Sequence, residues 1–149
     1  MINKVIKKTI DIPAPKEKVF EVLVDDECTK HWFAEFGEGA HAETTWEEGS
    51  KAAFTDDSGS GLVGVVMINR PGEILSVKYT GIVVDGLEDY DSELAKEVKD
   101  TMETYVLTEK DGITTLSVDV DMSDEYYDIM SEAWDNAMKK ISELAISRR

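Results

Sequence analysis

The stretch SDEYYDIMSEAWDNAMKKISELAIS, residues 123–147, decides how this chain is read. Tyr126, Met130, Ala133, Trp134, Ala137, Met138, Ile141, Leu144 and Ala145 recur at spacings of three and four, the period of one apolar helical face. Ser123 is placed to N-cap such a helix, with Asp124 and Glu125 in its first turn. Lys139, Lys140, Arg148 and Arg149 load its far end, so the charges suit the macrodipole. At about 1.5 Å per residue the helix would run about 37 Å, enough to cross a small domain. A lone helix of that length needs a broad, curved surface to lie against.

The residues before it supply strands. Thr101–Thr108 and Ile113–Val120 pair across Glu109-Lys110-Asp111-Gly112, where Asp111-Gly112 is a strong hairpin signal. Further back come Ile74–Thr80, with Leu75, Val77 and Tyr79 on one face, then Leu62–Asn69, Lys51–Thr55 and His41–Trp46. The turns between them are Arg70-Pro71-Gly72-Glu73, the run Asp56 to Gly61, and Glu47-Glu48-Gly49. Near the start, Val5–Ile12 alternates as a strand and Pro13-Ala14-Pro15 stops it. Lys16–Val24 reads as a helix, and a second short one, capped by Asp25 or Asp26, ends near Trp32-Phe33. Between Val84 and Asp100, seven acids stand against Lys96 and Lys99 alone. That stretch reads as a solvated excursion, with a helical turn or two at Ser92–Lys99. The order predicts an α+β fold: two short helices after the first strand, an antiparallel sheet of about six to seven strands, and a long last helix on its concave side. Helix and curved sheet tend to leave a cavity between them. No repeat or linker divides residues 1–149, so one domain is expected.

Composition narrows the function. The 149 residues are 42% hydrophobic, the range of a globular chain with a sizeable core. The net charge is −16, which argues against nucleic acid and anionic membrane surfaces, because both are bound through Lys and Arg. A charged, soluble surface is the ordinary use of such acidity, and a basic partner is the functional one. There is no apolar run of about eighteen residues to span a membrane. The charged N-terminus lacks a signal-peptide core and Cys28 is the single cysteine, so the cytoplasm is the expected compartment.

Several marks in this order resemble the SRPBCC or START-like helix-grip superfamily, and within it the bacterial group named after the activator of heat-shock protein 90 ATPase. They are Ile12-Pro13-Ala14-Pro15-Lys16-Glu17-Lys18-Val19-Phe20 entering the first helix, Trp32-Phe33 ending the helical pair, and Gly49 beginning a strand. Gly64 to Pro71 followed by Ile74-Leu75, and Trp134 with Met138 and Ile141, complete the set. The chain departs from the family where a double glycine is common, having Glu48-Gly49, and its Val84–Asp100 segment is longer than the simplest members need. The resemblance implies a helix-grip fold whose cavity takes a hydrophobic small molecule, a lipid or aromatic metabolite. It implies no reaction.

Such a fold would bring together Trp32, Phe33, Phe36, Trp46, Phe54, Met67, Tyr79, Tyr105, Met130, Trp134 and Met138. All of these but Phe33 are the expected ligand contacts. The same residue types also fill ordinary cores. Other motifs carry less. Gly59-Ser60-Gly61-Leu62-Val63-Gly64 spells GxGxxG, but strand-like Val65-Val66-Met67-Ile68 follows where a dinucleotide site needs a helix. His41-Ala42-Glu43 lacks the cysteines of a zinc deaminase. Asp119, Asp121, Asp124 and Glu125 lack EF-hand spacing, so no metal or cofactor is expected. Cys28 and His31, three apart, read as a half-buried thiol beside a histidine rather than a catalytic pair. No residue is assigned a catalytic role. Two alternatives to ligand binding stay open: a cyclase- or hydrolase-type enzyme using His41, Glu43, Tyr79 or Tyr105, and a protein-interaction module such as a chaperone ATPase regulator.

Overall fold

The computed structural model describes residues 2–148, so Arg149 of the helix end lies outside the described residues. Strand β1 (Ile2–Ile12) leads into α1 (Lys16–Val24) and α2 (Asp26–Phe33). Strands β2 (His41–Glu43), β3 (Lys51–Thr55), β4 (Gly61–Arg70), β5 (Ile74–Val84) and β6 (Leu87–Asp89) follow. Helix α3 (Glu93–Val98), β7 (Met102–Lys110), β8 (Ile113–Ser123) and α4 (Tyr127–Arg148) complete the chain. The strands form one antiparallel sheet in the order β1-β8-β7-β5-β4-β3-β2, with β6 paired to β5. Together with α4 lying along it, this is the α+β arrangement that the order of elements predicts and the helix-grip architecture that the resemblance implies.

Local chemistry explains the boundaries. Asp111 and Gly112 both take positive φ, 54° and 78°, as a two-residue hairpin of the primed type requires. Asp25 caps α2 by accepting from the Glu27 amide at 2.9 Å. The start of α1 is capped from a distance, since the Lys16 amide donates to Glu109 Oε1 at 2.7 Å, from the β7–β8 hairpin. The glycines of the GxGxxG run serve the backbone, not phosphate: Gly59 takes a turn φ of 80°, and Gly61 and Gly64 let neighbouring strands approach. A Cβ on Gly64 would lie 2.4 Å from the Lys78 carbonyl oxygen of the neighbouring strand.

Three expectations change. Helix α4 begins at Tyr127 rather than Ser123, because Ser123 remains in β8 opposite Ile2 and is buried there. The strand expected over His41–Trp46 stops at Glu43, and Trp46 takes a φ of 64°, unusual for a bulky residue. The acidic segment is not a mere excursion. It turns at Asp85-Gly86 (φ 50° and 79°), returns along β5 as β6, and seats α3 against β5 through the fully buried Ala95.

The core lies between the sheet and the three helices α1, α2 and α4. Ala137, Met138, Ile141 and Ala145 of α4 are buried in it, with α1, α2 and β1 packed against the helix. This half of α4 closes a solid interior. The first half does not.

Candidate ligand cavity

Where the first turns of α4 stand away from β5, β7 and β8, a cavity of about 630 Å³ remains. That volume falls in the range of small-molecule sites. Its wall is aromatic, and the rings touch in a chain. Trp134 meets Phe36 at 4.9 Å, Tyr105 at 6.0 Å and Trp32 at 6.1 Å between centroids. Trp32 passes contact to Phe33 at 4.5 Å, and Phe33 to Phe54 at 6.1 Å. Phe54 in turn meets Trp46 at 6.1 Å and Tyr79 at 6.0 Å. The eight rings come from α2, the α2–β2 loop, the β2–β3 loop, β3, β5, β7 and α4. Trp32 is held from below, its indole N–H donating to the Val22 carbonyl at 3.0 Å. Leu94 and Val98 of α3 join the lining beside Val84 and Tyr126, and Val84, Leu94 and Tyr126 are exposed, marking the mouth.

Eight of the ten expected contact residues therefore line this space: Trp32, Phe36, Trp46, Phe54, Tyr79, Tyr105, Met130 and Trp134. Two do not. Met67 falls between Val66 and Ile68 at a shift of register against β5; this bulge turns it outward and leaves it 44% exposed. Met138 shares the helical face of Trp134 but sits one turn further along α4, in the solid core.

Among the lining residues that were not anticipated, one carries a buried charge-bearing group. Glu103 of β7 accepts a hydrogen bond from the Tyr79 hydroxyl at 2.9 Å on Oε1 and another from the Tyr105 hydroxyl on Oε2. It is half-buried, and it lines the cavity. Burial raises its carboxyl above the ordinary value and outweighs the bonds from Tyr105 and Tyr79, which lower it. The two phenols are pushed well above theirs, first by burial and then by the carboxylate charge. Glu103 stands two residues before Tyr105, so alternation along β7 puts both on one face. That was the available signal.

The other candidates sit elsewhere. His41 is at the rim, with Nδ1 at 3.1 Å from the Gly39 carbonyl oxygen, and Glu43 is exposed beside it. Of the four residues considered for acid–base work, only Tyr79 and Tyr105 lie inside. Cys28 is buried with its thiol pushed up by burial, and His31 is exposed, so no activated thiolate results. Asp124 pairs with Lys4 at 2.6 Å, Asp119 with Lys7 at 3.9 Å, and Asp121 accepts from the Met102 amide at 2.8 Å. Among the described residues no group of three or more His, Cys, Asp or Glu is placed to hold a metal ion. No described helix is long and apolar enough to cross a membrane.

Comparison with known proteins places this geometry. Among solved structures, protein MLL2253 from Mesorhizobium loti superposes with a TM-score of 0.74 at 17% identity, covering 97% of this chain and 98% of that one. The Aha1 dimer from Colwellia psychrerythraea gives 0.69 at 14% identity, with 95% of each chain covered. DynU16, a protein of the dynemicin biosynthetic locus, gives 0.69 at 15% identity over 95% of this chain, which spans only 46% of DynU16. At such identities these likenesses show a shared fold. No curated protein is significantly similar in sequence. The sequence profile described as Activator of Hsp90 ATPase homolog 1-like protein matches residues 13–145. By that match, which spans nearly the whole chain, the protein belongs to the Activator of Hsp90 ATPase homolog 1-like family.

Proposed function

We propose that this protein binds a hydrophobic small molecule, a lipid or an aromatic metabolite, between the curved sheet and the first half of α4. The observation that carries the reading is the aromatic cavity of about 630 Å³, built from seven separate parts of the chain. Filling that volume with water would place the solvent against rings that offer it few partners, whereas an apolar ligand restores dispersion contacts along the wall. The contacts would be the eight lining residues already named, with Trp32, Trp134 and Phe54 each touching three other rings. The protein-partner alternative rests on the acidic segment, but Leu94 and Val98 of that segment contribute to the cavity lining. This favours the cavity as the working site.

Binding only to the folded state must raise the melting temperature. The test is a thermal scan of the purified protein with a panel of fatty acids, flavonoids, aromatic acids and aromatic amines. At least one compound is expected to raise the transition by several degrees, saturably with concentration. A panel without any such shift would remove the support for this function.

A further inference from the structure

The cavity is apolar in its walls but not neutral in its charge. Glu103 places a carboxyl inside it, held by Tyr79 at 2.9 Å and by Tyr105. A carboxylate offers about four lone-pair sites, and the two hydroxyls use two of them. No Lys or Arg is among the described residues lining the cavity. The remaining ionisable side chains there, besides the tyrosines, are Asp56, Glu97, Asp121 and Glu125, all acids, and His41 at the rim. An anion inside such a wall is costly unless a cation reaches it. The rings of Trp134 and Tyr105, their centroids 6.0 Å apart, also have faces that attract positive charge. Outside, the net charge of −16 draws cations towards the mouth and repels anions.

We propose that the ligand is a hydrophobic cation: an amine whose ammonium group pairs with Glu103 while its apolar body lies against Trp134 and Phe54. This rests on the cavity-binding function above and names the chemical class it selects. The cavity discriminates against carboxylates of the same shape, including fatty acids, because an anionic head group would face the Glu103 carboxyl and enter past Glu97 and Glu125, which are exposed on its lining. Selectivity comes from repulsion of the wrong charge as much as attraction of the right one.

Calorimetric titration with three probes on one frame tests this: naphthylethylamine, naphthylethanol and naphthylacetate. The amine should bind at least about tenfold tighter than the alcohol, as expected for a hydrogen bond to a charged group, and the acetate weakest. The advantage should persist at about 0.5 M salt, which screens the outer charge but not a pair inside the cavity. Glu103→Gln should reduce amine affinity to that of the alcohol and leave alcohol affinity within about threefold. Tyr79→Phe, which keeps the carboxylate, should retain the preference, so a folding defect in the first variant does not decide the matter. Alcohol binding with no amine advantage in the native protein overturns the cation inference and leaves the cavity function standing. An advantage abolished by salt, or one that survives Glu103→Gln, overturns it equally. If neither these probes nor any panel compound binds, the cavity function falls and the inference with it.

Discussion

Glu103 shares the inward face of β7 with Tyr105 and Leu107, both of which are buried, so an acid here interrupts an otherwise apolar row. The titratable groups hydrogen-bonded to it among the described residues are Tyr79 on β5 and Tyr105 on its own strand. Asp56, Glu97, Asp121 and Glu125 line the same space. Because burial lifts the folded-state value above the ordinary 4.5, the native protein holds the Glu103 proton more tightly than the unfolded chain does. The stability this adds is full below the unfolded value and is lost as pH rises through the folded one. Glu103→Gln removes that loss. The melting temperature of the variant minus that of the native protein should therefore grow as pH rises above the ordinary carboxyl value of 4.5. A difference that stays flat with pH, or shrinks, would contradict the desolvated carboxyl. Trp46 shows a second kind of local tension. Its left-handed backbone is held by Asn69, whose side-chain amide donates to the Trp46 carbonyl at 2.7 Å. Asn69→Ala should cost about 1–2 kcal/mol in urea denaturation, more than an exposed polar residue would; a loss below a few tenths would show that Trp46 needs no such support.

At the scale of elements, α4 has two jobs divided along its length. Ile141 is fully buried against the core, while Met130 borders the cavity and is only partly buried. Ile141→Ala should cost about 2–5 kcal/mol. Met130→Ala should cost under about 1.5 kcal/mol, because the space around it is already open. Equal losses in the urea midpoints would mean that the first half of the helix is as tightly packed as the second. Most element boundaries were legible because local chemistry decides them. Lys16–Val24 and Lys51–Thr55 stand where periodicity and turn residues put them. The Asp111-Gly112 hairpin forms because that dipeptide tolerates two positive φ values in succession. Asp85-Gly86 carried the same signal, but the acidic residues around it resembled solvated loop, and β6 presents Leu87 to solvent instead of an alternating apolar pattern. Ser123 failed as a cap for a different reason: its pairing with Ile2 is a long-range contact, which overrides a local preference.

Across the whole molecule, acidity and cavity are the two features that outlast the details of any one element. A net charge of −16 on 149 residues opposes compaction, and the exposed ion pairs, such as Lys51 with Glu88 and Lys4 with Asp124, offset little of it. Raising ionic strength from about 20 mM to about 200 mM should therefore raise the melting temperature; a fall would mean that the ion pairs outweigh the repulsion. The cavity itself was only partly legible. Spacing shows which residues share a helical face, but not where the sheet stands away from that face. Met130, Trp134 and Met138 follow one another on a single stripe, yet the cavity ends between the last two. The bulge at Met67 is a matter of register against β5, which strand alternation alone does not reveal. Whether this space takes an apolar guest can be read from a titration of the native protein with the neutral fluorophore N-phenyl-naphthylamine. Saturable, one-to-one binding is expected, with enhanced, blue-shifted emission that a competing apolar ligand displaces. Emission that rises linearly without saturating, as with a protein that has no cavity, would contradict it.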